Sequence, residues 1–308
     1  MERIPWKELK LKKFKTSDNA TLYYHEQKNC CACKNMLILL GWSQPPDGWS
    51  PVLLTNKYLR KNYNVYILVM RGYNYEHPDY GNSIARYAID VVEFIKRKCL
   101  DNLTIMGHSM GSSIVWNIIT LYGESMFEKF IMVDQPPVLL RNPQFTDNEA
   151  LRLGAIFSCD EDPNRGIYGL TNVLLGPEEK ANELRFNLIS SMFTDKFKQE
   201  NPEIMNKIFD GVFKYDNKVL SDVLYHHICN DWIRQLFLKG VNLPTLLIGG
   251  KSSIIPFQSV VEQHKYYNNA SLYIFSEEEG GSHNMFIENY KLFNLILNKF
   301  LKCSDSSC

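Results

Sequence analysis

The chain has 308 residues, enough for one large α/β domain or for a core domain carrying an insertion, with a substantial core to bury. Its 34 Lys and Arg balance 34 Asp and Glu, so no net field draws it to nucleic acid or to an anionic membrane, and neither is expected as a partner. The opening residues Met1-Glu2-Arg3-Ile4-Pro5-Trp6 lack the apolar core of a signal peptide, and no apolar run of about 18 residues follows. The expectation is a soluble, cytoplasmic protein whose eight cysteines stay reduced. Cys30, Cys31 and Cys33 cluster, but no second Cys/His pair stands at a finger-like spacing, so no metal is expected.

In chain order, Leu11 to Lys15 and Thr21 to His25 alternate and are β-rich, with the turn signal Ser17-Asp18-Asn19 between them, which predicts an antiparallel hairpin. Short apolar runs then recur at Met36 to Leu40, Val65 to Met70, Leu103 to Met106, Phe130 to Val133, Thr245 to Ile248 and Leu272 to Phe275. Runs of this length without alternation suit strands of a parallel sheet buried on both faces. Between them lie helical periods. Ile84, Tyr87, Ala88, Val91, Val92 and Ile95 follow the i, i+3, i+4 rule, with Arg86, Asp90, Glu93 and Lys96 on the remaining face; Ser113 to Tyr122 and Phe286 to Leu301 behave similarly. The alternation predicts a doubly wound α/β sheet.

One interval breaks the rhythm: about a hundred residues separate the run ending at Val133 from the one starting at Thr245, too many for a structureless loop. Helical patterns around Glu149 to Phe157, Ala181 to Phe193 and Leu220 to Leu238, punctuated by Pro163, Gly169, Gly176-Pro177 and Pro202, predict a helical cap over 138–239. The core is then 1–137 with 240–303, followed by a disordered tail, 304–308.

The chemistry-bearing motif is Gly107-His108-Ser109-Met110-Gly111. By composition, G-x-S-x-G arises by chance in roughly one chain in ten of this length, so the motif alone is weak. Here it follows the apolar run Leu103-Thr104-Ile105-Met106 and opens a periodic helix, the context a nucleophile elbow requires. Gly107 and Gly111 allow strand and helix to meet at a sharp, strained turn. A serine hydroxyl needs a base and donors for an oxyanion. Of the seven histidines, His283 is the expected base, in a loop beyond the last strand. His108 is excluded because residues flanking an elbow serine point away from its Oγ, and His226 or His227 could line a cap pocket. The expected oxyanion donors are the backbone N–H groups of Met110 and of Trp42, in the loop Gly41-Trp42-Ser43.

With these residues in place the chain resembles the α/β-hydrolase superfamily over nearly its whole length. Met70-Arg71-Gly72-Tyr73 and Tyr80-Gly81-Asn82-Ser83-Ile84-Ala85-Arg86, followed by the elbow, are most similar to its haloperoxidase-like and esterase-like branch, the non-haem chloroperoxidase-like serine hydrolases. The resemblance implies an eight-stranded, mostly parallel sheet with a helical cap between the sixth and seventh strands. It also implies a cofactor-free enzyme with Ser109 as nucleophile, His283 as base, and Met110 and Trp42 as oxyanion donors.

Two departures stand out. Relatives usually have His-Gly before the oxyanion residue, where this chain has Leu40-Gly41. The triad acid usually follows the seventh strand, yet Gly249-Gly250-Lys251-Ser252-Ser253-Ile254-Ile255-Pro256 contains no carboxylate. Some members place the acid after the sixth strand, where this chain has Val133-Asp134-Gln135-Pro136-Pro137, so Asp134 is the expected acid. The alternatives are that Asp134 only caps the turn into Pro136, or that the acid comes from Glu277-Glu278-Glu279. The expected reaction is acyl transfer on an ester, lactone or thioester, with C–C bond hydrolysis also open, and activity should fall below about pH 6 as the base protonates. Phe186, Met192, Phe193, Tyr225, Trp232 and Phe237 suggest a small apolar or aromatic substrate, while packing of the cap explains any one of them equally well. A non-catalytic or very slow receptor for a small molecule is the competing expectation.

Overall fold

A computed structural model describes residues 3–76 and 80–303; His77 and the expected disordered tail, 304–308, lie outside the described residues. Eight strands form one sheet: β1 (Lys12–Lys15), β2 (Thr21–Gln27), β3 (Lys34–Leu39), β4 (Tyr63–Val69), β5 (Leu103–His108), β6 (Lys129–Val133), β7 (Thr245–Gly250) and β8 (Ala270–Phe275). Their order is β1-β2-β4-β3-β5-β6-β7-β8. Only the β1–β2 and β2–β4 pairings are antiparallel. Each predicted apolar run has become a strand, and β5 and β6 are buried at every residue, as strands covered on both faces must be.

Helices α1 (Ser50–Thr55) and α2 (Lys57–Asn62) follow β3, α3 (Ile84–Lys98) follows β4, and α4 (Met110–Tyr122) follows β5. Between β6 and β7 come α5 (Asp147–Leu153), α6 (Ile167–Leu175), α7 (Glu178–Ser191), α8 (Asp195–Glu200), α9 (Pro202–Val212), α10 (Asn217–Ile228) and α11 (Trp232–Gln235). Helix α12 (Phe257–Gln263) links β7 to β8, and α13 (Met285–Glu288) and α14 (Tyr290–Cys303) follow β8.

Helix α3 shows how the sequence builds these elements. Ser83 caps it by accepting the Arg86 N–H, and its periodic apolar residues face the sheet. Asp90, expected on the polar face, is fully buried instead. Its carboxylate receives Arg71 Nε at 2.7 Å and Nη2 at 2.8 Å, a bidentate pair that pins the loop after β4 to α3.

The insertion departs more from expectation. The predicted helix Leu220 to Leu238 is broken at Cys229-Asn230, after which Asp231 caps α11 through the Arg234 N–H. Similarly, α5 stops at Gly154, which holds φ 76°, short of the predicted Phe157. The C-terminal helix is interrupted at Asn289. Helices α6, α8 and α9 lie outside the predicted helical patterns, and Gly169 and Pro202 read as punctuation there by local rules. Pro202 is the first residue of α9, where its missing N–H costs nothing. Gly169 lies inside α6 because a Cβ there would collide with the Asp162 carbonyl of the preceding loop.

Candidate active site

The site begins where β5 meets α4. Ser109 takes φ 52° and ψ −125°, a conformation that strains any residue with a Cβ. Two backbone bonds hold it there: its N–H donates to the Val133 carbonyl at 2.8 Å, and its carbonyl accepts the Ser112 N–H at 2.8 Å. A Cβ on Gly107 would strike the start of α4, and one on Gly111 would strike the Leu39 carbonyl of β3, so the elbow closes only with glycine at both positions. Ser109 is half-buried while its neighbours His108 and Met110 are buried, so the turn exposes the one hydroxyl.

At the carboxyl end of β6, next in the sheet, Asp134 also has positive φ, 54°. Its N–H donates to the Ile248 carbonyl of β7 at 2.8 Å, and its side chain is fully buried. His283 arrives from the loop after β8, with Nδ1 2.6 Å from Asp134 Oδ2. A carboxylate only accepts, so Nδ1–H donates and Nε2 is left as the basic nitrogen. Burial pushes the Asp134 carboxyl above its ordinary range, while the hydrogen bonds from His283 and Ser253 favour its ionised form.

The loop after β7 lacks a carboxylate, but it is not idle: Ser253 Oγ donates to the same Oδ2 and accepts the Ile255 N–H at 3.0 Å. This hydroxyl was missed in the sequence, where the stretch is conspicuous only for the acid it lacks. In the acidic run, Glu279 accepts the Tyr273 hydroxyl at 3.0 Å and the Ser276 N–H at 2.9 Å, and so braces its own turn.

Across from the elbow lies Gly41-Trp42-Ser43. Neither the Trp42 nor the Met110 backbone N–H donates to a protein acceptor among the described residues. The Trp42 indole N–H donates to the Leu220 carbonyl of α10 at 2.9 Å, which fastens this loop to the insertion. Ser43, at φ 56°, offers its Oγ to Arg185 Nη2 at 3.3 Å. Arg185, on α7, is buried: it donates to the carbonyls of Val212 and Tyr215 and to Asn217 Oδ1, and burial lowers its pKa to about 10.

His108 lies behind the elbow, its Nε2 donating to the His283 carbonyl at 2.9 Å. Burial, with the His283 ring close by, holds it well below its usual value and therefore neutral. Trp49 stacks on Phe286 with ring centroids 4.1 Å apart, and Phe286 meets the His108 ring edge-on at 4.9 Å. The loop that carries His283 is thus backed by aromatic packing.

Ser109, His283, Trp42 and Met192 line two cavities. The smaller, about 20 Å³, is closed by Pro45, Phe193 and Ile287. The larger, about 60 Å³, is walled mainly by aliphatic side chains of the insertion and of the loops after β6 and β7, with His227 among them. Of the two cap histidines considered in the sequence, His227 is buried and His226 is exposed. Of the six apolar residues considered there, Met192 and Phe193 reach these cavities. Trp232 and Phe237 pack on Trp116, Phe186 stacks on Phe209 at the surface, and Tyr225 meets Tyr168 there. Among the described residues no group of three or more His, Cys, Asp or Glu is arranged to hold a metal ion, and no helix is long and apolar enough to cross a membrane.

By sequence, no protein family and no curated protein matches this chain. By structure, a bromoperoxidase from Bacillus anthracis superposes with a TM-score of 0.77 over 95% of this chain and 100% of that one, at 20% identity. An esterase from Exiguobacterium antarcticum gives 0.77 over 94% and 98%, at 18% identity. An enol-lactonase from Burkholderia xenovorans gives 0.69 over 92% and 97%, at 15% identity. This chain has the α/β-hydrolase fold. Within an α/β-hydrolase fold the carboxyl ends of β3, β5 and β6 and the loop after β8 form one rim, and that rim carries Trp42, Ser109, Asp134 and His283. The insertion enters between β6 and β7, beside the same rim, which is why it can wall both cavities.

Proposed function

We propose that this protein is a serine hydrolase that cleaves an ester, lactone or thioester of a small, largely apolar substrate through an acyl-enzyme, without a cofactor. The observation that carries the reading is the 2.6 Å contact between His283 Nδ1 and Asp134 Oδ2, made by a histidine that shares both of its cavities with the elbow serine. Asp134 holds the imidazole in the tautomer whose Nε2 can take the Ser109 proton and stabilises the imidazolium that results. The Ser109 alkoxide attacks the substrate carbonyl, and the N–H groups of Met110 and Trp42 receive the charge that develops on its oxygen. His283 passes its proton to the departing group, then takes a proton from the water that attacks the acyl carbonyl and returns it to Ser109 as the acid leaves. A serine rather than a carboxylate at the elbow excludes the alkyl-enzyme chemistry of a carboxylate nucleophile. The superposed esterase and enol-lactonase support the same class of substrate. In this reading 138–239 is a cap that selects what reaches Ser109.

A fluorophosphonate probe tests the reading, since it phosphonylates only an activated serine. Labelling of the folded protein that disappears in Ser109→Ala is the expected result. Folded wild-type protein that takes no label would instead make the cavity a receptor site.

A further inference from the structure

His227, on α10, has no part in the chemistry above. It is buried on the wall of the larger cavity, and its Nδ1 has no hydrogen-bond partner; no bond from Nε2 to a protein group occurs among the described residues either. A buried polar atom of this kind is normally paired. Burial and the nearby His283 ring depress its pKa to about 3, so the ring is neutral and offers one N–H donor and one bare nitrogen acceptor. Its surroundings cannot answer either group: Ile156, Leu170, Leu188, Leu224 and Ile254 supply only hydrocarbon. The other polar side chain there outside the proposed machinery, Gln135, turns its amide NH2 to the Pro136 carbonyl at 3.0 Å.

On the reading that Ser109 forms an acyl-enzyme, we propose that the larger cavity is the acyl pocket and that His227 selects acyl groups bearing a hydroxyl or oxo oxygen. The cavity's 60 Å³ compares with 10–15 Å³ for one water-sized group, which leaves room for roughly four to six heavy atoms. The acyl group is bonded to Ser109 from acylation until water releases it, and on this proposal it fills the larger chamber while the leaving group departs through the smaller one. A hydroxyl on the chain can donate to the bare ring nitrogen or accept from the N–H; an oxo group can only accept. An unsubstituted chain fills the same space and leaves His227 unpaired. A site built to bond an oxygen discriminates strongly against the analogue that lacks it.

The test compares methyl butanoate with methyl 3-hydroxybutanoate and methyl 3-oxobutanoate on wild type and His227→Leu. Wild type should prefer an oxygenated ester by about tenfold or more in kcat/KM. His227→Leu should erase that preference while leaving butanoate turnover within a few-fold. A fall of equal proportion on all three esters would mean a structural role and would overturn the proposal, as would a wild type with no preference. Binding of butanamide and 3-hydroxybutanamide to Ser109→Ala reads the recognition without turnover. Discrimination there by a protein whose wild type hydrolyses none of the esters would break the hydrolase reading and keep the role of His227. Hydrolysis without discrimination in either assay would do the reverse.

Discussion

At the carboxyl edge of the sheet, Ser43, Ser109 and Asp134 all hold positive φ, whereas in the insertion only a glycine, Gly154, does so among the described residues. The two regions face one another across the same cavities and are built by different means. At the sheet edge, backbone bonds to neighbouring strands hold Ser109 and Asp134 in strained conformations, and side-chain direction follows from that. In the insertion, ordinary helices are joined by irregular loops, and what matters is which side chain happens to face inward. A strained backbone cannot drift without losing the sheet, so the sheet edge suits invariant chemistry. A helix face can change its side chains one at a time, so the insertion suits selection.

The largest expected effect tests the sheet side. Asp134→Asn should lower kcat by about 10⁴, the size of the corresponding change in serine proteases, with near-equal loss on every substrate. A rate within a few-fold of wild type, with loss instead in Glu279→Gln, would move the acid to the loop after β8. Arg185→Met comes next and tests how independent the regions are. It leaves the Val212 and Tyr215 carbonyls without their buried donor, so chemical denaturation should show a loss of about 3 kcal/mol. If kcat falls with it, the insertion also holds the Ser43 loop; if only stability falls, the two regions separate cleanly. Ser253→Ala removes one hydrogen bond to a buried carboxylate and should cost about 2 kcal/mol of stability. Its kcat should drop without any change in substrate preference, and a changed preference would blur the division.

The last expected effect is a slope against pH, small over any one unit. His227 titrates near 6.5 when unfolded and at about 3 when folded. Below pH 6.5 the unfolded chain therefore binds the extra proton. Stability should fall by about 1.4 kcal/mol per unit as pH drops through that window, and His227→Leu should remove this one contribution. An unchanged slope in the variant would mean that His227 is not a buried neutral ring.

The same division explains what could be read from the sequence. Gly107, Ser109 and Asp134 lie at strand ends, with Gly111 just inside α4 and His283 in the loop after β8, in the order that a parallel sheet imposes, and short apolar runs mark strand ends sharply. Asp134 was reachable because a residue just beyond β6 must lie beside one just beyond β5. Ser253 was not, because nothing in a run of small polar residues says which hydroxyl turns inward. Arg185 and His227 were harder still. Each sits on a helix whose inward face is set by contacts with distant segments, Val212 for one and the walls of the cavity for the other, and helical periodicity gives a face but not its neighbour. The helices of the insertion were partly lost for a related reason: Pro202 and Gly169 read as breaks by local rules and are, respectively, a start and a close approach.

The Asp134–His283 bond joins residues 149 positions apart, with the whole insertion between them. During synthesis Ser109 and Asp134 leave the ribosome well before most of the insertion that walls the cavities, and His283 follows that insertion. On the mechanism proposed above, the Ser109 hydroxyl lacks its base until then. On that mechanism the nascent chain carries an unactivated alcohol until the chamber that restrains it has been made.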